Sequence, residues 1–309
     1  MHDLFSPMTI GTMRLPNRIA LDALPSGCAT ADGFFGADLA SYYLRLAYGG
    51  AGLLVIEPAF VLPPPDGATP HVGLYADAQV PDLLAAIADI RAVGVAVLVM
   101  LDQPLWTAQL GTSELRELGE TFVSAAWRAR AAGAHGVMLS SVDGGPFEQL
   151  LSPLRNRRGD RYGGSSAGRL RLLGDVVEGI ARWIGPDFVV GVRLNVEEFT
   201  PGGIRLHDAR TIATRLVSAG AQLIEISAES ASEAPIARFP GWRVPLAREV
   251  RSVVGVPVMV GGLLDEPALA DSVIREGSAD IVALGERLRV APDWPREVWE
   301  RRAGRSGHR

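Results

Sequence analysis

Residues 136–165, GVMLSSVDGGPFEQLLSPLRNRRGDRYGGS, pass from an apolar run into a dense cluster of arginines and glycines. The run from Gly136 to Ser140 shows no alternation of apolar and polar residues, which marks a strand buried on both faces, as in a parallel sheet covered by helices. Its end, from Ser140 to Gly145, is small and weakly polar apart from Asp143. Just before it, Ala132-Gly133-Ala134 reads as a helix end feeding a strand, and the same signature recurs at Tyr48-Gly49-Gly50-Ala51-Gly52 and Ala219-Gly220-Ala221.

Working outward, runs of this kind occupy Arg18 to Asp22, Gly52 to Glu57, Ala96 to Asp102, Gly136 to Ser140, Phe188 to Asn195, Leu223 to Ser227, Val256 to Val260 and Ile281 to Gly285. Segments of helical period lie between them, at Ala37 to Tyr48, Asp77 to Val93, Glu114 to Ala132, Gly168 to Ile184, Leu206 to Ala219, Val244 to Val253 and Glu266 to Glu276. Eight strand and helix units with fully apolar strands predict an α/β fold of the (β/α)8 TIM-barrel kind, as a single domain over residues 1–300. An open doubly wound sheet is the rival. It would normally carry a Gly-rich turn after its first strand, where this chain has Ala23-Leu24-Pro25-Ser26-Gly27 and no G-x-G-x-x-G. The Arg-rich end, 301–309, is expected to be a disordered, solvated tail.

Composition narrows the function classes. A formal charge of -5 gives no electrostatic footprint for nucleic acid or an anionic membrane, and no apolar run reaches the length of a membrane span. The single cysteine, Cys28, rules out an intramolecular disulfide and a multi-cysteine metal site, in keeping with a cytoplasmic protein acting on a small molecule. A homo-oligomer is left open.

In a TIM barrel, chemistry sits where strands end. The strand-end residues are Asp22, Glu57, Asp102, Ser140, Asp143, Arg193, Asn195, Glu197, Glu225, Ser227, Gly261 and Glu286, rich in carboxylates and without a histidine. Asp22, Glu57, Asp102 and Asp143 could furnish oxygens to a hard cation, but with no histidine beside them the expectation is no metal. His135 and His207 read as structural, and Cys28 has no visible base to activate it.

The stretch LLSPLRNRRGDRYGGS after a fourth strand resembles the old yellow enzyme family of ene reductases and NADH:flavin oxidoreductases. LFSPMTIGTMRLPNRIAL, YYLRLAYGGAGLLVIEPAFV, VGVRLN, VGGLLDEPALADSVIREGSADIVALG and PDWPREV are similar to other parts of that family, in order over nearly the whole chain. The resemblance implies a flavin-type TIM barrel. It would place the flavin phosphate on backbone amides at Gly261, Gly262 and Gly285, with Arg193 facing the ring.

Several positions depart from the family. Glu286 stands where it has a phosphate-binding arginine, with Arg287 one residue on as a stand-in. A carboxylate about 5 Å from a phosphate costs on the order of 3 kcal/mol at an effective dielectric near 20. Met100 replaces a flavin-contacting glutamine and Pro25 a Thr or Cys, while Ser140, Asp143 and Gly145 replace the substrate-gripping pair and the proton-donating tyrosine. The loop after the third strand, in DQPLWTAQLGTSELRELGETF, is shorter than the family's.

The departures fall on flavin and substrate positions while the frame is kept, so the leading expectation is a barrel without a tightly bound cofactor. It would perform acid/base chemistry, such as isomerisation, elimination by a lyase or cyclisation, on a carbonyl-bearing molecule. Asp102 and Asp143 would be the proton-transfer pair, Arg193 would stabilise developing enolate charge, and Ser140 would assist. The alternative is an FMN-dependent ene reductase or dehydrogenase using NADPH or NADH, with Gly261, Gly262, Gly285, Arg193 and Arg287 holding the flavin. A non-catalytic scaffold is a third reading. For Asp102 and Asp143 the competing expectation is structural pairing with Arg155, Arg157, Arg158 or Arg193. The arginine cluster itself reads as a salt-bridged brace, and Phe34, Phe35, Trp106, Phe147, Phe239 and Trp242 as candidates to line a pocket.

Overall fold

The computed structural model describes residues 2–64, 70–105, 107–229 and 237–306. The chain enters through an antiparallel hairpin, β1 (Met8–Ile10) and β2 (Met13–Leu15), with Gly11 at φ 55° in its turn. The barrel follows: β3 (Ile19–Leu21), α1 (Ala37–Tyr48), β4 (Leu53–Phe60), a two-residue β5 (Val72–Gly73), α2 (Val80–Ala92), β6 (Ala96–Asp102), α3 (Thr112–Ala131) and β7 (Gly136–Ser141). Then come α4 (Pro146–Leu151), α5 (Ser166–Ile184), β8 (Val189–Asn195), α6 (Leu206–Ser218), β9 (Leu223–Ser227) and α7 (Val244–Arg251). The chain finishes with β10 (Val258–Val260), α8 (Pro267–Arg275), β11 (Ile281–Ala283), α9 (Gly285–Val290) and α10 (Trp294–Ser306).

The eight parallel strands β3, β4, β6, β7, β8, β9, β10 and β11 pair in sequence order, and β3 pairs with both β4 and β11, which closes the barrel. The fold is a (β/α)8 TIM barrel, as the buried runs predict. Closure removes the edges of the eight-stranded barrel, to which the short β5 adds beside β4.

Two apolar layers hold it together. One lies between strands and helices, where the inward stripes of the helices (Leu39, Tyr43 and Leu46 on α1; Leu172, Val176 and Ile180 on α5) meet outward strand residues such as Ile56, Val99 and Val192. The other fills the barrel itself with Ala20, Leu53, Val55, Leu98, Met100, Met138, Val189, Leu223, Met259 and Ile281, plugged from below by Ile10, Met13 and Leu15 of the hairpin. Met100 is therefore core, fully buried among other barrel residues.

The brace expected from the arginine cluster is present. The Arg158 guanidinium donates to Asp160 and to the carbonyls of Thr107 and Leu110, and Asn156 Nδ2 donates to the carbonyls of Leu150 and Tyr162. Such charge-assisted bonds fix the loop after β7. The C-terminal tail differs from its expectation: residues 301–306 continue α10, tied back by Arg302 to Asp3 and by Arg301 to Glu297. Residues 307–309 lie outside the described residues. Among the described residues no helix is long and apolar enough to cross a membrane.

Candidate active site

Side chains alternate along a strand, so the residue two beyond an inward core residue also faces inward. From Ala20, Val55, Met100, Met138, Gly191, Leu223, Met259 and Ala283 this parity gives Asp22, Glu57, Asp102, Ser140, Arg193, Glu225, Gly261 and Gly285. The upper inward positions are thus four carboxylates, a serine, an arginine and two glycines, directly above an apolar fill. Part of this set borders a cleft of about 310 Å³ whose walls include Asp22, Asp143, Arg193, Glu225, Trp242 and Arg243, and whose far end is formed by Gly261, Gly262, Gly285 and Arg287.

Arg193 sits at the floor of the cleft and is already paired twice. Its Nη2 meets Asp22 Oδ1 and its Nε lies 2.9 Å from Glu225 Oε2, while Nη1 donates to the Ala23 carbonyl at 3.3 Å. Two carboxylates on one buried guanidinium leave the group with a net charge of about -1. Asp22 is therefore an ion-pair partner rather than a simple hydrogen-bond acceptor, and Glu225, given no role from sequence, is the second. Only its register on β9, in Leu-Ile-Glu-Ile-Ser, could have singled it out.

Asp102 is buried at the top of β6, where Oδ1 accepts the Gln103 N–H at 2.8 Å. Burial, with repulsion from Asp143 and Glu148, pushes its carboxyl up to about 7. It sits against Gly145, where an added Cβ would meet its carboxylate and displace it. Asp143 lies on the cleft wall. Desolvation, then repulsion from Glu229, Glu148 and Glu225, raises its carboxyl to about 6. Asp143 is nonetheless exposed at the cleft mouth, and water there limits the rise, so Asp102 is the firmer proton holder at neutral pH.

Neither aspartate has an arginine partner within ion-pair distance among the described residues. Arg155 is taken by Glu148 at 3.2 Å, Arg158 by Asp160 and Arg193 by Asp22 and Glu225. Glu148, buried and raised by desolvation, also accepts the Gly144 N–H. This carboxylate orders the β7 loop and was missed from sequence because α4 follows the strand after only four residues. In that loop Asp143 (φ 59°) and Gly144 (φ 78°) are consecutive left-handed residues. Outside glycine this conformation costs roughly 1–2 kcal/mol, and short polar side chains tolerate it best.

Ser140 Oγ is buried and has no hydrogen-bond partner, whereas Ser141 Oγ donates to the Arg193 carbonyl at 2.8 Å. Glu57 is structural: its Oε2 accepts the Ser26 N–H at 2.5 Å and holds the loop after β3. Of the aromatic candidates, Phe35 packs on Tyr43 and Phe147 on Phe122 within the core. Trp242 lines the cleft, Phe34 is half-buried, Phe239 is exposed, and Trp106 lies outside the described residues. His135 Nδ1 accepts the Val97 N–H at 3.1 Å, a structural bond. Among the described residues no group of three or more His, Cys, Asp or Glu is arranged to hold a metal ion.

The far end of the cleft holds Gly261, Gly262, Gly285 and Arg287, the positions that the resemblance assigns to a phosphate. Gly262 has φ 115° and packs against Trp242 and Arg243, while at Gly285 a Cβ would strike Leu24 at 2.6 Å. At both positions neighbouring side chains take the space that a Cβ would need, so the absence of a side chain there is required by packing. The Glu286 carboxylate at the rim pairs with Arg289 at 2.7 Å on a side chain 70% exposed, so its charge is directed to Arg289 and solvent. Arg287 Nε is buried at the cleft with no hydrogen-bond partner. The repulsion expected from Glu286 is accordingly weak, and the donor one residue on is free.

The sequence matches the NADH:flavin oxidoreductase / NADH oxidase family over residues 3–104 and 100–304, and the chain belongs to that family. It is 30% identical to an NADH oxidase of Thermoanaerobacter brockii over 97% of this chain, although it spans only 51% of that relative's length. It is 28% identical to an NADPH dehydrogenase of Geobacillus thermodenitrificans, covering 94% of this chain and 92% of the relative. Among solved structures, a 2-naphthoyl-CoA reductase complex superposes with a TM-score of 0.90 at 21% identity, over 96% of this chain and 52% of that one. An old yellow enzyme homologue from Zymomonas mobilis gives 0.80 at 23% identity, over 97% and 93%. These superpositions establish the shared barrel.

Proposed function

We propose that the chain is an oxidoreductase that binds FMN, draws reducing equivalents from NADPH or NADH and reduces a small unsaturated molecule. The observation that carries this is the far end of the cleft, where Arg287 offers an unpartnered buried Nε beside Gly261, Gly262 and Gly285, and Glu286 is paired with Arg289. FMN, when bound, supplies hydride transfer between the nicotinamide and the substrate. The protein's part is to place the substrate and provide the proton.

Asp143, on the cleft wall, is the proton donor in place of the family's tyrosine. Asp102, against Gly145, holds a proton near neutral pH and, while protonated, adds no negative charge beside Asp143. Ser140, with its free hydroxyl, contributes a hydrogen bond to a polar group lowered into the barrel mouth. Arg193 is not a free electrophile, since Asp22 and Glu225 already neutralise it.

That same triad favours a second reading, flavin-independent acid/base chemistry of the isomerase, lyase or cyclase kind, because it puts net negative charge where the flavin ring would lie. Colour separates the two. Purified protein that absorbs at about 450 nm and releases one FMN per chain supports the redox proposal; protein that stays colourless through FMN titration overturns it.

A further inference from the structure

We propose that the rim of the cleft is a binding site for an anionic group, a carboxylate carried on the substrate, with Arg243 and Arg238 as its ligands and Leu263 and Phe199 receiving the adjoining ring. This deepens the proposal that the cleft takes a small organic substrate and rests on it. The ligand class is a ring-bearing carboxylic acid.

Four observations meet at this rim. First, Arg243 Nε is buried and makes no hydrogen bond, and among the described residues neither Arg243 nor Arg238 has a carboxylate within ion-pair distance. Both line the cleft. Secondly, the two guanidiniums lie over the ring of Trp242, at 4.7 Å for Arg243 and 5.9 Å for Arg238, so an aromatic face rather than an anion positions them.

Thirdly, most carboxylates around the cleft are committed. Asp22 and Glu225 belong to Arg193, Glu286 belongs to Arg289, and Glu229 accepts the Ser227 hydroxyl at 3.3 Å. Asp265 is exposed and screened by water. Glu225, Glu229 and Asp143 act on Arg243 from beyond contact distance without pairing it. Fourthly, Leu263 and Phe199 are 50% and 45% exposed and held at φ 57° and 48°, a conformation that bulky residues avoid. Phe199 stands 6.4 Å from Trp242, and its loop is held by Glu197, which accepts the N–H groups of Phe199 and Leu206. An apolar lip is thus placed beside two unpaired guanidiniums.

The test compares 3-phenylpropanoate with 3-phenylpropanamide, unreactive molecules of one shape that differ in charge. Binding of each to the full chain, with and without added FMN, is measured by isothermal titration calorimetry. The acid should bind at least about 10-fold more tightly than the amide, the size of one charge-assisted hydrogen bond. Arg243→Gln should bring the acid to the level of the amide while leaving the amide within about 2-fold, and Arg238→Gln should weaken the acid by roughly 3-fold. Equal affinities, no saturable binding of the acid, or an acid preference that survives Arg243→Gln would each overturn the proposal. Should Arg243→Gln fail to fold by circular dichroism, an unchanged acid affinity in Arg238→Gln overturns it. Because binding is read without turnover, failure here is distinct from failure of the redox proposal, which is read by FMN retention.

Discussion

Asp102→Asn isolates the group on which the protonation argument rests. In the folded protein Asp102 keeps its proton until about pH 7, against 3.8 for an unperturbed aspartate. Between those values the folded state binds more protons than the unfolded chain, so stability falls as pH rises and the loss is complete above about 7. The gap of about three pH units corresponds to roughly 4 kcal/mol, of which about 2.7 kcal/mol accrues between pH 5 and 7. Asparagine keeps an Oδ1 to accept the Gln103 N–H and cannot ionise. Stability of the variant relative to wild type should therefore improve by about 2.7 kcal/mol on going from pH 5 to pH 8. For a chain of 309 residues the entropy of unfolding is about 0.65 kcal/mol/K, so the thermal midpoints should diverge by about 4 °C over that range. Flavin-free samples of both proteins scanned at matched ionic strength provide the assay. The raised carboxyls of Asp143, Glu148 and Glu57 are common to both proteins and largely cancel in the difference. A difference in midpoint constant to within about 1 °C from pH 5 to pH 8 would show that Asp102 is ionised in the fold, and would remove it from the protonation scheme.

Arg287→Ala should weaken FMN binding by about 10- to 100-fold through loss of a charged donor, whereas Glu286→Ala should change it by less than about 3-fold, since its charge already pairs with Arg289. Fluorescence titration of free FMN measures both, and a large effect of Glu286→Ala would show that its carboxylate faces the phosphate after all. Asp143→Asn should reduce turnover of an activated alkene by at least about 100-fold while leaving the rate of nicotinamide oxidation by the flavin within about 2-fold, a split that stopped-flow absorbance resolves. With wild type, the alkene half-reaction should slow as pH rises towards about 6, the upper end of the range in which the exposed Asp143 gives up its proton. An unchanged alkene rate in the variant would move the donor to Ser140 or to water.

The fold was legible because its signal is local and repeated. Each buried run, from Arg18 to Asp22 through Ile281 to Gly285, is apolar because both of its faces are covered, and each after the first is preceded by a helix end that glycine marks. Parity did the same for the site: once Met100 and Met138 are barrel fill, Asp102 and Ser140 must face inward two residues later. Pairing was not legible. Which carboxylates would reach Arg193 depends on the stagger between β3, β8 and β9, and Asp22 and Glu225 lie 171 and 32 residues from it in sequence. The fate of Glu286 was hidden for a related reason. Its direction is set by the short helix α9, where Arg289 falls three residues on and captures it, a pairing that is visible only once the turn is known to be helical.

The distribution of charge within the cleft links the two proposals. Its floor carries Arg193 with two carboxylates, net negative, and its walls add Asp143 and Glu229. Its rim and far end carry Arg238, Arg243 and Arg287, none of them within ion-pair distance of a carboxylate among the described residues, while Glu286 there is paired with Arg289 and Asp265 is exposed to screening water. In a cleft with low-dielectric walls such a gradient acts on a ligand before any contact forms, drawing an anionic end to the rim and turning it from the floor. An amphipathic acid so oriented presents its uncharged, reducible part to Asp143, the group on the cleft wall able to give a proton. Weakening the gradient at one point, with Asp22→Asn to remove one of the carboxylates on Arg193, should favour the acid over the amide, because one of the charges that repel an anion is gone. The acid-to-amide affinity ratio of the rim should then rise by about 2- to 3-fold at low salt and remain unaltered at 1 M salt, where the Debye length is near 3 Å. Loss of the ratio at both salt concentrations would mean that Asp22 acts by holding the shape of the cleft rather than by its field.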